Sequence, residues 1–320
     1  MKANAADIRD MVLLTGAVVL AALLVAPLPP LGVPLASFGL ATLAYRFRDN
    51  SAWIVAALAT GVMVLVAWPG WAFALLAVAP VLIAAGPVAA RLLRHRPALL
   101  VAAIIAIVVA VVQLAGIAAE AAVAGKSLLA YVDAQMAQSV DAFIKAAAGS
   151  GQSLNLDAAT LRTEVLTLMP GFLLDMALLT GVLGTAAVVS AGRRSNVAVN
   201  RLPELTTLEI SSYALIPIIA GLAALALQVF VHGTIATVLG IVGGNLLIVG
   251  IPLLTIQGLG ILLFWLQRWE IPRGARIALA IAACVLEPFV PLMTLAGLVD
   301  TWLNLRRLPR EGTDPQPGER

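Results

Sequence analysis

Nine apolar runs follow one another between residues 11 and 299, most of them long enough to cross a bilayer as a helix. They lie at roughly 11–28, 31–45, 52–68, 71–90, 98–124, 170–191, 212–231, 241–267 and 276–299. A membrane-spanning helix needs about 20 apolar residues. Inside hydrocarbon no water satisfies the backbone, so each run must close its hydrogen bonds within itself, as a helix does. Composition points the same way. Of 320 residues, 61% are hydrophobic and 12% charged, against about 45–50% and about 25% in a soluble domain. The expected fold class is therefore all-α: a polytopic membrane helix bundle of eight or nine spans with an amphipathic outer segment. The second run is short and reads as tilted or partly re-entrant. Lys2 and the run after Met11 imitate a signal peptide, but Asp7 and Asp10 flank Arg9 and further runs follow at once. The run is read as the first membrane helix.

Arginine and lysine give an orientation. Basic groups cluster at Lys2/Arg9, Arg46/Arg48, Arg91/Arg94/Arg96, Arg193/Arg194/Arg201 and Arg268/Arg273/Arg276, each two runs from the one before. Cytoplasmic loops of membrane proteins carry such an excess. One placement, the bacterial inner membrane with a cytoplasmic N-terminus, satisfies all five. The net charge of +3 then belongs to membrane edges, and no nucleic-acid partner is expected. Trp53, Trp68, Trp71, Trp265 and Trp269 stand at run ends, where amphipathic rings favour the headgroup layer.

The chain divides into N-terminal helices with five spans (1–125), an extracytoplasmic amphipathic segment (126–169), C-terminal helices (170–310) and a disordered tail (311–320). In the outer segment Leu129, Val132, Met136, Val140, Phe143 and Ala147 recur at helical spacing. It reads as a helix lying on the membrane or capping the bundle. "GSGQSLNLD" (149–157) is a break, and Asp157 is placed to cap a short second helix. The "WPGW" turn (68–71) joins two spans. The last run holds Pro288 and Pro291, which predict a kink. Nine full spans would put the tail outside, whereas Arg306, Arg307 and Arg310 favour inside. A broken or re-entrant last segment reconciles the two.

No zinc, Walker or nucleophile-elbow motif is present. No enzymatic activity, cofactor or metal is expected. His95 and His232 fall on opposite predicted sides of the membrane, and the single cysteine, Cys284, excludes an intramolecular disulfide. Polar residues within apolar runs carry more information, because an ionised side chain at the bilayer centre costs at least about 2.5–3.5 kcal/mol. They are Gln113, Glu120, Asp175, Gln228, Asn245, Gln257, Glu287 and Asp300. Asp300 reads as interfacial, with Asn304 and Arg307 on its face, and Glu120 as near the surface. Asp175 lies close to the outer start of its helix. Glu287 lies deepest, directly before Pro288. It reads either as a binding or proton-handling group or as a structural hydrogen bond between helices. Gly181/Gly184, Gly240/Gly244 and Gly258/Gly260 read as close helix contacts.

The second half also carries a resemblance. "LMPGFLLDMALLTG" (168–181) and "RLPEL" (201–205) are followed by "GNLLIVGIPLLTIQGLGILLFWLQRWEIP" (244–272) and "GLVDTWLNLRR" (297–307). Over residues 165–310 this resembles the YybS-like family of predicted bacterial membrane proteins. That family is similar, at a distance, to the substrate-binding S-components of energy-coupling-factor transporters and to the cell-shape protein MreD. The resemblance implies a compact helical bundle of about six helices and, as in S-components, a small ligand near the outer surface. On this reading the chain is a small-solute binding or transport component. Its pocket would use Asp175, Asn245, Gln257 and Glu287, covered by residues 126–169. The alternative is a non-catalytic membrane scaffold of an envelope or cell-shape complex, with the acids joining helices. The expected partners are the lipid bilayer and either a small-molecule ligand or a membrane protein.

Overall fold

Each of the nine runs contributes helix to the computed structural model, which describes residues 5–25, 27–47, 49–66, 78–149, 157–208, 215–287 and 290–306. Among the described residues there are helices and turns but no strand. The chain forms two compact units, Met1–Leu202 and Pro203–Arg320. The "WPGW" turn, Pro288, most of the 149–157 break and the 311–320 tail lie outside the described residues.

The first unit holds α1 (Ala5–Val25), α2 (Pro29–Arg46), α3 (Asp49–Val66), α4 (Val78–Leu92), α5 (Ala98–Val123), α6 (Leu128–Gly149) and α7 (Ala158–Arg194). The short second run becomes α2, the helix around which α1, α3, α4 and α7 pack. Most of its surface meets protein, with Leu31 and Leu35 left exposed, so small and hydroxylated residues serve its inner faces well. Val33, Leu40 and Leu43 are fully enclosed. The hydroxyls of Ser37 and Thr42 donate back to the carbonyls of Val33 (2.6 Å) and Phe38 (2.7 Å), leaving nothing polar unpaired there. Pro29 and Pro30 open the helix, where a missing amide hydrogen costs nothing. In α4 the turn Ala84–Val88 widens into a π-helix around Pro87. Proline removes a hydrogen bond and crowds the preceding turn, and the widening accommodates both effects.

Helix α7 departs from the expectation of a short capped helix followed by a separate span. Asp157 does cap it, accepting from the amides of Ala159 (3.3 Å) and Thr160 (3.1 Å). The helix then runs unbroken through Pro170 for 37 residues. At 1.5 Å per residue that is about 55 Å, against a hydrocarbon thickness of about 30 Å. Its first turns pair with α6, where Arg162 Nε donates to Asp133 (2.9 Å). Its later turns lie between α2 and α5: a methyl at Gly181 would strike the Ala102 carbonyl, and Gly184 faces Val33 and Ile105. Between α5 and α6 the chain reverses at Gly125 (φ +65°), where Lys126 N donates to the Ala121 carbonyl (2.9 Å). In α6 the buried residue is Val140, while Leu129 and Phe143 of the predicted apolar face are exposed.

The basic clusters of this unit gather at one end. Arg46 lies 3.4 Å from Asp10. Arg94 stacks over Tyr45 and Arg194 over Phe38. Asn200 ties the segment after α7 to the Leu93 and Arg96 carbonyls.

The second unit holds α8 (Leu215–Gln228), α9 (Thr234–Arg268), α10 (Arg273–Leu286) and α11 (Leu292–Leu303). The close approach in α8–α9 is Gly221 against Gly243, not the expected Gly240/Gly244 pair, and Gly240 packs on the Gln228 amide instead. The last run holds two helices, one ending at Leu286 and the next starting at Leu292. Helix α11 crosses α9 so closely that a methyl at Gly258 would overlap the Met293 carbonyl, and one at Gly297 the Leu254 carbonyl.

The expected count of eight or nine spans is met only in part. Among the described residues four helices are long and apolar enough to cross a membrane: those ending at Val25, Val123, Arg194 and Arg268. Shorter apolar helices occupy Asn50–Val66, Val78–Leu92, Leu215–Gln228 and Leu292–Leu303.

Candidate functional site

Helix α5 carries Val109, Gln113, Gly116, Ile117 and Glu120 at spacings of three and four, hence on one face. That face lines a cavity of about 190 Å³ in the first unit, closed by Val25 of α1, Pro29 of α2, Val81 of α4 and Leu173 of α7. Gly116 contributes no side chain to it. Among the described residues the polar lining consists of two side chains. Gln113 Oε1 is buried without a hydrogen-bond partner. One turn pair further on, Glu120 accepts a hydrogen bond from the Tyr131 hydroxyl of α6 (2.7 Å), and Gln135 Nε2 donates to that same hydroxyl (3.0 Å). The hydrogen bond to Glu120 holds the Tyr131 phenol above its ordinary pKa. The amphipathic segment thus touches the cavity through Tyr131.

In the second unit the polar residues form a different kind of site. Asp300 of α11 is 2% exposed. Arg306 reaches it with Nε (3.2 Å) and with a terminal nitrogen (2.8 Å). The remaining guanidinium donors go to the carbonyls of Leu205 (3.4 Å), Thr206 (3.1 Å) and Leu208 (2.8 Å). Gln257 of α9, fully buried, donates to Asp300 (3.1 Å) and Thr301 (3.4 Å). The fork of five donors suits guanidinium alone. Asp300 is therefore a buried ion pair rather than the interfacial acid expected. Its partner among the described residues is Arg306, brought round where Asn304 adopts a left-handed conformation (φ 45°) at the end of α11 and turns the chain back.

Glu287 has a local task. Pro291, at the N-cap of α11, offers no side-chain acceptor. The Glu287 carboxylate fills that role from four residues upstream. It accepts from the amides of Met293 and Thr294 (2.8 Å each) and from the Thr294 hydroxyl (2.7 Å). The same hydroxyl lies 2.8 Å from Thr255 Oγ1 of α9, so the cap is fastened to the helix that carries Gln257.

The four residues expected to share a pocket are distributed as follows. Asp175 lies in the first unit, half-buried on α7, with no hydrogen bond or ion pair among the described residues. It stands two residues from Leu173, about 200° round the helix, and so faces away from the cavity. Asn245, Gln257 and Glu287 lie in the second unit. Gln257 and Glu287 both engage α11 but different parts of it, Gln257 through Asp300 and Thr301 and Glu287 through Met293 and Thr294. Asn245 donates to the Ile241 carbonyl of its own helix (2.7 Å), about 18 Å along α9 from Gln257. Sequence reasoning missed Arg306 as a site residue and the convergence of Gln113 and Glu120. The available signal for the latter was their seven-residue spacing on one helix. Among the described residues no group of three His, Cys, Asp or Glu side chains could hold a metal ion.

A family model described as "Predicted membrane protein (DUF2232)" matches residues 15–301 and so extends the likeness seen over 165–310 to most of the chain. No curated protein and no solved structure matches.

Proposed function

We propose, for a chain that belongs to the predicted membrane protein family DUF2232, a role as a multi-pass component of the bacterial inner membrane that binds or transports a small solute. The observation that carries this reading is the α5 cavity. An apolar cavity of about 150 Å³ accepts benzene, so about 190 Å³ suits one ring or a short branched chain with a small polar group. Glu120 and the unpartnered Gln113 oxygen are acceptors, and among the described residues no basic side chain lines the space. A solute with a hydrogen-bond donor or a positive charge at one end fits this lining, and an anion does not. Tyr131 of the amphipathic segment stands at the Glu120 end as a gate.

The span count follows the same reasoning. Eight spans, from α1 to α5 and from α7 to α9, are joined by a re-entrant pair, α10 and α11. Arg306 is held to the 205–208 segment and to the part of α9 near Gly260, about two turns from Arg268. That supports a chain end on the same cytoplasmic side as the N-terminus. A phosphatase reporter fused after Arg306 should be inactive in the periplasmic assay, and an active one rejects the re-entrant pair.

For the solute, the purified full chain is warmed against neutral, cationic and anionic one-ring compounds. Stabilisation by amines or alcohols, lost in Gln113→Leu, supports the reading. If nothing stabilises the protein while another membrane protein co-purifies with it, the scaffold role replaces it.

A further inference from the structure

A second recess in the first unit has the opposite polarity. It is a groove of about 410 Å³ at the basic end, walled by Leu13, Leu14 and Ala17 of α1 and by Phe38 of α2. Its floor ends at Arg46, Arg194 and Ser195, with Asp10 beside them. Phe38 holds the Arg194 guanidinium 5.3 Å above its ring, which places the charge without neutralising it. Arg194 forms no ion pair among the described residues, and the Asp10 carboxylate is shared between Arg46, at 3.4 Å, and Arg9, at 3.8 Å. Guanidiniums thus outnumber the carboxylate beside the groove. Ser195 Oγ is buried with no hydrogen-bond partner, a donor awaiting an acceptor. Thr42 is otherwise engaged, its hydroxyl donating to Phe38 O.

We infer that this groove binds one anionic phospholipid, with its phosphate between Arg46, Arg194 and Ser195 Oγ and an acyl chain along Leu13, Ala17 and Phe38. The polar end alone would suit any phosphate. The apolar wall that continues from it selects a phosphate attached to a hydrocarbon chain. Basic pockets between helices at the cytoplasmic face favour such headgroups, and the groove lies where the basic clusters of this unit meet.

The test uses the full chain in neutral detergent, titrated with phosphatidylglycerol, with phosphatidylcholine of the same acyl chains, and with inorganic phosphate. Bound lipid is counted by native mass spectrometry and the melting temperature is followed in parallel. Two arginines should give phosphatidylglycerol roughly a tenfold to thirtyfold preference over phosphatidylcholine. Arg194→Gln should bring the two lipids close to parity, and Ser195→Ala should narrow the gap. Asp10→Asn should widen it, a gain that damage to the fold would not produce. Equal binding of the two lipids overturns the inference, as does a preference unchanged in Arg194→Gln or reduced in Asp10→Asn. A shift reproduced by inorganic phosphate alone overturns the assignment to lipid.

Discussion

Replacing Glu287 separates two accounts of the deepest acid in the chain. Its carboxylate accepts two amide hydrogens and one hydroxyl at the start of α11, a helix whose own N-cap is a proline. Loss of an N-cap costs about 0.5–2 kcal/mol, and loss of negative charge at a helix N-terminus about 0.3–1 kcal/mol more. Glu287→Ala should therefore destabilise the protein by roughly 1–3 kcal/mol. For a domain of 150–250 residues each kcal/mol moves the melting temperature by about 2–4 °C, so a fall of roughly 2–12 °C is expected in detergent. Glu287→Gln keeps one carbonyl acceptor and should fall about half as far. Hydrogen exchange should quicken at Met293 and Thr294 and stay unchanged in α8. Small-solute binding at the α5 cavity should survive in both variants. If Glu287→Ala melts at the wild-type temperature yet loses a ligand, the carboxylate serves the ligand and the capping argument is refuted.

Other variants test the remaining geometry. Arg306→Ala leaves Asp300 charged and buried, a loss of about 3–5 kcal/mol measurable by denaturant unfolding; Arg306→Lys should restore little, since three donors on one nitrogen cannot replace the fork. Gly258→Ala drives a methyl into the Met293 carbonyl and should cost about 1–3 kcal/mol, read as a lowered melting temperature. Asp157 is held below the ordinary aspartate pKa by the Thr160 hydroxyl and then by the Thr160 and Ala159 amides. Its cap is therefore complete above the ordinary value of about 3.9 and is lost as pH falls through the lowered one. Exchange at Ala159 and Thr160 should accelerate only in that acidic range, and at all pH values in Asp157→Ala.

Much of the fold was legible because hydrocarbon imposes one rule on every run. The apolar stretches became helices, those of α2, α3 and α5 with bounds within a few residues of the ones read and those of α7 and α9 starting well before them, and the last run became two helices, with Pro291 at the N-cap of the second. What escaped depends on neighbours distant in sequence. Pro170 looks like a helix start, yet α7 continues through it because α5 and α6 flank the rod on either side of that position. The helical wheel puts Arg307 on the face of Asp300, but the wheel stops at Leu303, and the left-handed Asn304 brings Arg306 to the acid, a contact the wheel does not give. The Gly221–Gly243 contact needs the register of two helices, which spacing on one helix cannot supply. Gln113 and Glu120 were each noticed alone. Their cavity exists only once α1, α2, α4 and α7 close around α5.

The grip of Arg306 on the carbonyls of Leu205, Thr206 and Leu208 also sets a timetable. The guanidinium follows those acceptors by 101, 100 and 98 residues. At about 5–20 residues per second of synthesis, they wait roughly 5–20 s before their donor exists. During that interval water, headgroups or an insertase must occupy them. A nascent chain stalled short of position 306 should therefore remain open to protease in the 203–208 stretch, however completely α8 and α9 have already paired.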